Sequence, residues 1–80
     1  MYTVYILRSI KEPERIYIGY TEELSTRLKE HNAKKSGYSS KYVPWKVETQ
    51  IAFKNKKKAK ELEKYLKSGS GFAFLKKRLI

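Results

Sequence analysis

Five polar side chains occupy positions where the periodicity of the chain expects apolar ones: Tyr5, Tyr17, Arg27, His31 and Glu63. Two phenols, a guanidinium, an imidazole and a carboxylate form a set that phosphodiester hydrolysis draws on. That reaction needs a base for water, a cation for the phosphate and, as a rule, a metal ion. An arginine fork matches two phosphate oxygens at once. A single carboxylate suits Mg2+, which keeps most of its waters. A tyrosine is a poor base at its free pKa of about 10. A neighbouring Arg27 and a metal would lower that value by favouring the phenolate.

The elements that must position these groups can be read from the periodicity. Tyr2 to Arg8 alternates, with Thr3, Tyr5 and Leu7 on one face and Val4 and Ile6 on the other. Ser9 to Glu14 holds Pro13 and reads as a loop, and Arg15 to Tyr20 alternates again, so the two runs form a hairpin. Thr21 is an N-cap candidate, with Glu22 and Glu23 in the first turn where the helix dipole favours acids. At about 100° per residue, Leu24, Leu28 and His31 share one narrow stripe, with Arg27 at its edge. The helix should end near Ala33, and Lys34 to Trp45 should be a long loop. Lys46 to Phe53 reads as a third strand, with Val47, Thr49, Ile51 and Phe53 on one face. Asn55 should cap a helix running to about Lys67, whose buried stripe holds Ala59, Leu62 and Leu66 with Glu63 inside it. The stretch "SGSG" from Ser68 to Gly71 breaks that helix, and Phe72 to Leu79 forms a short final one. The expected fold is α+β: a three-stranded antiparallel sheet flanked by helices, in the order β-β-α-β-α-(α).

Each polar group has an ordinary alternative. Arg27 lies four residues after Glu23, the spacing of a surface ion pair. A lone histidine on an apolar face is commonly a hydrogen-bonded core residue, and tyrosine suits half-buried strands. Glu63 has Lys60 and Lys67 within reach along its own helix. Yet all five lie on faces expected to converge on one region of the sheet.

Eighty residues bound one domain, 1–80, with a thin core: such a chain buries only about 60% of its unfolded surface. Any site should therefore be a shallow cleft. The absence of cysteine excludes disulfides and thiolate metal sites. The N-terminal run lacks a secretory leader and no apolar run approaches the ~20 residues that span a bilayer, so no membrane partner and a cytoplasmic location are expected. Nineteen Lys and Arg against eight Asp and Glu give a net charge of +11, which favours phosphate polymers. A merely lysine-rich surface is the bland reading, and seven tyrosines with one tryptophan tilt it towards nucleic acid. Lys34, Lys35, Lys41, Lys54, Lys56, Lys57 and Lys58 are candidate phosphate contacts without sequence readout. Tyr38, Tyr42 and Trp45 are candidates to stack on exposed bases, Trp45 being better suited to the core.

The order of these residues resembles the GIY-YIG nuclease superfamily, and most closely its small single-domain branch. The likeness rests on "TVYIL" at Thr3 to Leu7, "YIG" at Tyr17 to Gly19, Arg27 and His31 one helical turn apart, and Glu63 on a later helix. It extends through the ending "YLKSGSGFAFLKKRL". The resemblance implies metal-dependent phosphodiester cleavage, with Mg2+ or Mn2+ as cofactor. By the same resemblance Tyr5 corresponds to the tyrosine often assigned as general base and Tyr17 to the one that positions water and phosphate. Arg27 corresponds to the phosphate-binding arginine, His31 to the residue on the next helical turn, and Glu63 to the metal ligand. Gly19 corresponds to the motif glycine, whose missing side chain allows close approach. Two features depart from the pattern: Thr3 stands in place of the first motif's glycine, and "GSGFAF" stands where larger members carry an asparagine.

Three functions follow in order. The first is an endonuclease on DNA, structure-selective or weakly sequence-specific, with branched, flapped or single-stranded substrates as candidates and RNA left open. The second is a nucleic-acid-binding module with little or no turnover. The third is a protein-interaction domain with a basic surface, although no obligate protein partner is evident. A site able to use His31 as a proton acceptor should gain activity through roughly pH 6 to 7.

Overall fold

The alternating N-terminal run forms the middle of a three-stranded antiparallel sheet, and that central position decides how every functional residue is placed. The computed structural model describes residues 1–33 and 37–80, without the side chain of Tyr38. Strand β1 (Tyr2–Ser9) lies between β2 (Ile16–Thr21) and β3 (Trp45–Phe53) in the order β2-β1-β3. A central strand is covered on both faces, so Val4, Tyr5, Ile6 and Leu7 are all buried despite pointing alternately up and down.

The two faces carry different layers. Val4 and Ile6 pack against Ala59, Leu66 and Leu75, supplied by α3 (Lys56–Leu66) and α4 (Gly69–Arg78). Burying a leucine such as Leu66 or Leu75 contributes about 1.5–3 kcal/mol, so these few contacts carry much of a thin core. On the other face Tyr5, Leu7 and Trp45 pack with Tyr17 and with Leu24 and Leu28 of α1 (Leu24–Asn32). The fold is thus α+β, a sheet between helical layers, with the expected element order. A one-turn helix, α2 (Gly37–Ser40), adds itself inside the expected long loop.

Local chemistry explains where the boundaries moved. Thr21 is the last residue of β2; its hydroxyl accepts a hydrogen bond from the Glu23 N–H at 3.0 Å. The helix starts at Leu24, two residues later than a Thr21 cap would place it, so Glu22 and Glu23 precede it. In β3 an extra residue shifts the register between Thr49, paired with Ile6, and Val47, paired with Leu7. This bulge turns Val47 to the Tyr5 side while Phe53 packs on the Val4 side, correcting the single face expected for them. Asn55 caps α3 as expected, accepting from the Lys58 N–H at 3.1 Å. "SGSG" is a junction, not a loop. Ser68 caps α4 by accepting from the Gly71 N–H, and Gly71 lies against the last turn of α3, where a β-carbon would overlap the Tyr65 carbonyl.

Candidate active site

Cross-strand register builds the centre of the site. Tyr5 faces Gly19 across the β1–β2 ladder, and Leu7 faces Tyr17. With no side chain on Gly19, the Tyr5 ring lies across β2: a β-carbon there would overlap its Cζ and Oη and stand 2.9 Å from its Cε1. The close approach expected at Gly19 is therefore made by the phenol of Tyr5. Tyr17 stacks alongside, with ring centroids 6.3 Å apart and planes at 23°.

Helix α1 brings two groups down onto that phenol. Arg27 donates from Nε to Tyr5 Oη at 3.4 Å, and His31 Nε2 lies 3.1 Å from the same oxygen. The opposite ring nitrogen, His31 Nδ1, is 2.7 Å from Ser39 Oγ, and the Tyr17 ring leans over the imidazole at 4.5 Å between centroids. Tyr5 is 1% exposed and His31 and Ser39 0%, so the chain from phenol to serine is sealed. Arg27 also donates from Nη1 to Glu30 at 3.1 Å, which replaces the pairing with Glu23 that spacing allowed. Its Nη2 has no hydrogen-bond partner among the described residues.

Electrostatics follow from burial. Desolvation, the largest effect, holds the Tyr5 phenol above the ordinary tyrosine value; the hydrogen bond from Arg27 opposes it, and the charges of Tyr17 and Glu63 add to it. The lowering expected from Arg27 is present but outweighed, so Tyr5 rests as the neutral phenol. Desolvation and, next, the charge of Arg27 push His31 below its ordinary value, against a smaller opposing pull from Glu30.

Glu63 is not in hydrogen-bond contact with this group. Its helix packs on the Val4 and Ile6 side of the sheet, whereas Tyr5, Tyr17 and α1 lie on the other. Four of the five groups are thus joined by direct contacts, and Glu63 approaches from a helix that packs on the other face. The reason is topological: the connection through Asn55 delivers α3 to the uncovered face of the sheet. The carboxylate Oε2 accepts from Lys67 Nζ at 3.1 Å, the i,i+4 pairing that spacing allowed. Oε1 has no partner among the described residues. The field of Glu63 still reaches both the Tyr5 and Tyr20 phenols.

An open cleft of about 390 Å³ runs beside Arg27, lined also by Tyr20, Thr21, Glu22, Glu23, Thr26 and Glu30. Tyr5, Tyr17 and His31 lie behind it, not in its wall. Lys60 Nζ reaches across from α3 to within 4.5 Å of the Tyr20 ring centroid. Sequence reasoning missed Tyr20, Glu30 and Ser39. Only Glu30 carried a signal, three residues after Arg27 on the same helix. Lys41, Lys54, Lys56, Lys57 and Lys58 are exposed, whereas Lys34 and Lys35 lie outside the described residues, as does the side chain of Tyr38. Trp45 is buried and is withdrawn as a base-stacking surface. Tyr42 is half-buried, packed on Trp45 at 6.4 Å and under Arg15. Among the described residues no helix is long and apolar enough to cross a membrane.

An antiparallel sheet with two tyrosines, an arginine and a histidine gathered on one face defines a class: small α+β domains whose polar centre is built from the first hairpin and the helix after it. The family model described as the GIY-YIG catalytic domain matches residues 1–77, and the chain belongs to that family, a family of nucleases acting on nucleic acid and generally dependent on a divalent metal. No curated protein matches the chain.

Proposed function

We propose that residues 1–80 act as a metal-dependent endonuclease domain on DNA, structure-selective or weakly sequence-specific. The observation that carries this reading is the contact of Arg27 with Tyr5 and of Tyr5 with His31, a cation, a phenol and an imidazole in series. Arg27 gives one nitrogen to Tyr5, one to Glu30 and keeps one for phosphate. As the guanidinium turns to a phosphate oxygen, it uncovers the phenol beneath it. Water then attacks phosphorus, its proton passes to Tyr5 Oη, and the proton of Tyr5 passes to His31 Nε2 as the P–O bond to the leaving oxygen breaks and that oxygen takes a proton from solvent water. This relay needs neither a resting phenolate nor a charged imidazole, in keeping with the directions in which burial shifts both groups. Tyr17 holds the pair by stacking on the Tyr5 ring and leaning over the imidazole.

The donor set fits the metal that the family implies. Glu63 offers one hard oxygen, and among the described residues no group of three or more His, Cys, Asp or Glu is placed to enclose an ion. A single carboxylate suits a mostly hydrated Mg2+ or Mn2+. When bound, such an ion supplies charge stabilisation for the phosphoryl oxygens.

Polyanion binding is supported by the placement of lysines. Lys56, Lys57 and Lys58 occupy the first turn of α3, at the positive end of the helix dipole. That placement disfavours folding and favours phosphate. A second reading, a binding module without turnover, is favoured by the burial of Tyr5 and by the pairing of Glu63 with Lys67.

One experiment separates them. Labelled duplex, single-stranded and branched DNA, with an RNA counterpart, are incubated with the protein and Mg2+ or Mn2+, beside Glu63→Ala and Tyr5→Phe. Cleavage lost in both variants with binding retained is expected. Intact substrates across the panel, bound equally by all three proteins, would establish the binding module instead.

A further inference from the structure

We infer that Ser39 is a positioning residue that keeps the proton of neutral His31 on Nδ1, leaving Nε2 open to take the proton of Tyr5. Its purpose rests on the nuclease reading; its content rests on hydrogen-bond accounting in a sealed space. Tyr5 Oη has two neighbours within hydrogen-bond distance, Arg27 Nε and His31 Nε2. Arg27 can only donate. If Nε2 also carried a proton, Tyr5 would face two donors, and its own hydroxyl proton would have no acceptor among the described residues. Buried donors are rarely left so, since the loss costs about 1–3 kcal/mol. With the proton on Nδ1, the protons of Arg27 Nε, Tyr5 and His31 all have a place. Arg27 donates to Tyr5, Tyr5 donates to Nε2, and Nδ1 donates to Ser39 Oγ at 2.7 Å. The hydrogen bond at one ring nitrogen decides which nitrogen is protonated, so Ser39 sets the state of the other.

Ser39 is held for this task from a distance. Its carbonyl accepts from the Trp45 indole at 2.7 Å and from the Tyr42 N–H at 3.2 Å. The backbone of Trp45 is in turn gripped on both sides by the amide of Asn32, which accepts at 2.6 Å and donates at 3.2 Å. Asn32 is the residue after His31, so the helix end that carries the imidazole also anchors the segment that holds its partner. During the proposed step a water proton moves to Tyr5 Oη and the Tyr5 proton to His31 Nε2. The imidazolium formed keeps its Nδ1–H on Ser39, and no other group changes charge within the chain.

The test uses the full chain with 15N-labelled histidine, whose only copy is His31. Long-range 15N–1H correlation should show a protonated Nδ1 and an unprotonated Nε2. In Ser39→Ala the two nitrogen signals should converge or exchange character. The value of kcat should fall roughly 10–100-fold with KM unchanged, by analogy with the loss when the partner of a metal-bound imidazole is removed. Ser39→Thr, which keeps the hydroxyl, should restore both. A protonated Nε2 in the parent overturns the inference, as do unchanged nitrogen signals in Ser39→Ala. Should Ser39→Ala not fold, the parent spectrum alone decides. The expected signals in a parent that cleaves nothing would refute the nuclease reading and leave the hold of Ser39 on His31 standing.

Discussion

The Tyr5 phenol lies in the volume that a side chain on Gly19 would fill, directly across the β1–β2 ladder. The glycine of the motif is thus a condition for the position of the tyrosine, and through it for the contacts with Arg27 and His31. Gly19→Ala should displace the ring and cost about 1–3 kcal/mol, the range for overpacking a core. A shift of the phenol by an ångström should also lower cleavage about 100-fold. Urea denaturation and single-turnover cleavage measure the two effects. A variant of parental stability and activity would show that Tyr5 can occupy another position.

Acid should weaken the fold through His31. Burial and Arg27 hold its pKa below the ordinary 6.5. Above that value the imidazole is neutral in both folded and unfolded chains and contributes no pH dependence. As pH falls below it, the unfolded chain takes up a proton that the folded one refuses. Stability then falls by up to about 1.4 kcal/mol per pH unit until the folded pKa is passed. Urea midpoints at about pH 7 and about pH 5 should differ less in His31→Gln than in the parent. The acid limb of cleavage should likewise fall below pH 6.5, lower than an unperturbed histidine would place it.

Under the proposed function, Glu30 should compete with substrate for Arg27. The pair is 3.1 Å long with side chains 40% and 42% exposed, so it is screened and weak. Glu30→Gln should tighten DNA binding by about twofold, from an exposed pair worth roughly 0.3–0.5 kcal/mol. Fluorescence anisotropy at fixed salt reads the change. Weaker binding in this variant would mean that Glu30 positions Arg27 for phosphate.

Two nearby glycines in α4 should respond oppositely to alanine. A β-carbon on Gly71 would overlap the Tyr65 carbonyl and stand 3.0 Å from the Leu66 Cα, whereas one on Gly69 meets nothing within 4 Å. Gly71→Ala should destabilise by about 1–3 kcal/mol, since backbone cannot yield as a side chain does. Gly69→Ala should be neutral or stabilising by up to about 1 kcal/mol, because alanine is the better helix former. Thermal or urea unfolding of the pair compares them directly.

Stability and binding should move in opposite directions at the start of α3. Replacing Lys56, Lys57 and Lys58 by alanine removes like charge from the positive end of the helix, a gain of about 0.3–1 kcal/mol per residue. The same change should weaken DNA binding and flatten its log–log salt slope by about 0.9 for each phosphate that a lysine no longer neutralises. An unaltered slope would place the phosphate path elsewhere on the surface.

Much of this was legible in the chain. Strand alternation placed Tyr5 and Tyr17, and helical spacing put His31 in the stripe of Leu24 and Leu28, because both periodicities follow from backbone geometry alone. Asn55 announced its helix because a cap is a contact between near neighbours. The start of α1 was misplaced because Thr21 can satisfy the Glu23 N–H equally well from a strand end. The bulge that turns Val47 over leaves no mark in the alternation of β3 itself, since it exists only relative to the partner strand.

By itself, then, the sequence determined the main elements, the facing sides of the first hairpin and of α1, and the chemical types gathered there. Tertiary structure alone decided that Tyr5 fills the gap at Gly19, that Ser39 meets His31, and that α3, which carries Glu63, packs on the Val4 and Ile6 side of the sheet. The physical reason is range. Periodicity, caps and ion pairs act over a few residues, whereas burial, register and the choice of sheet face are settled only when distant segments exclude water from one another.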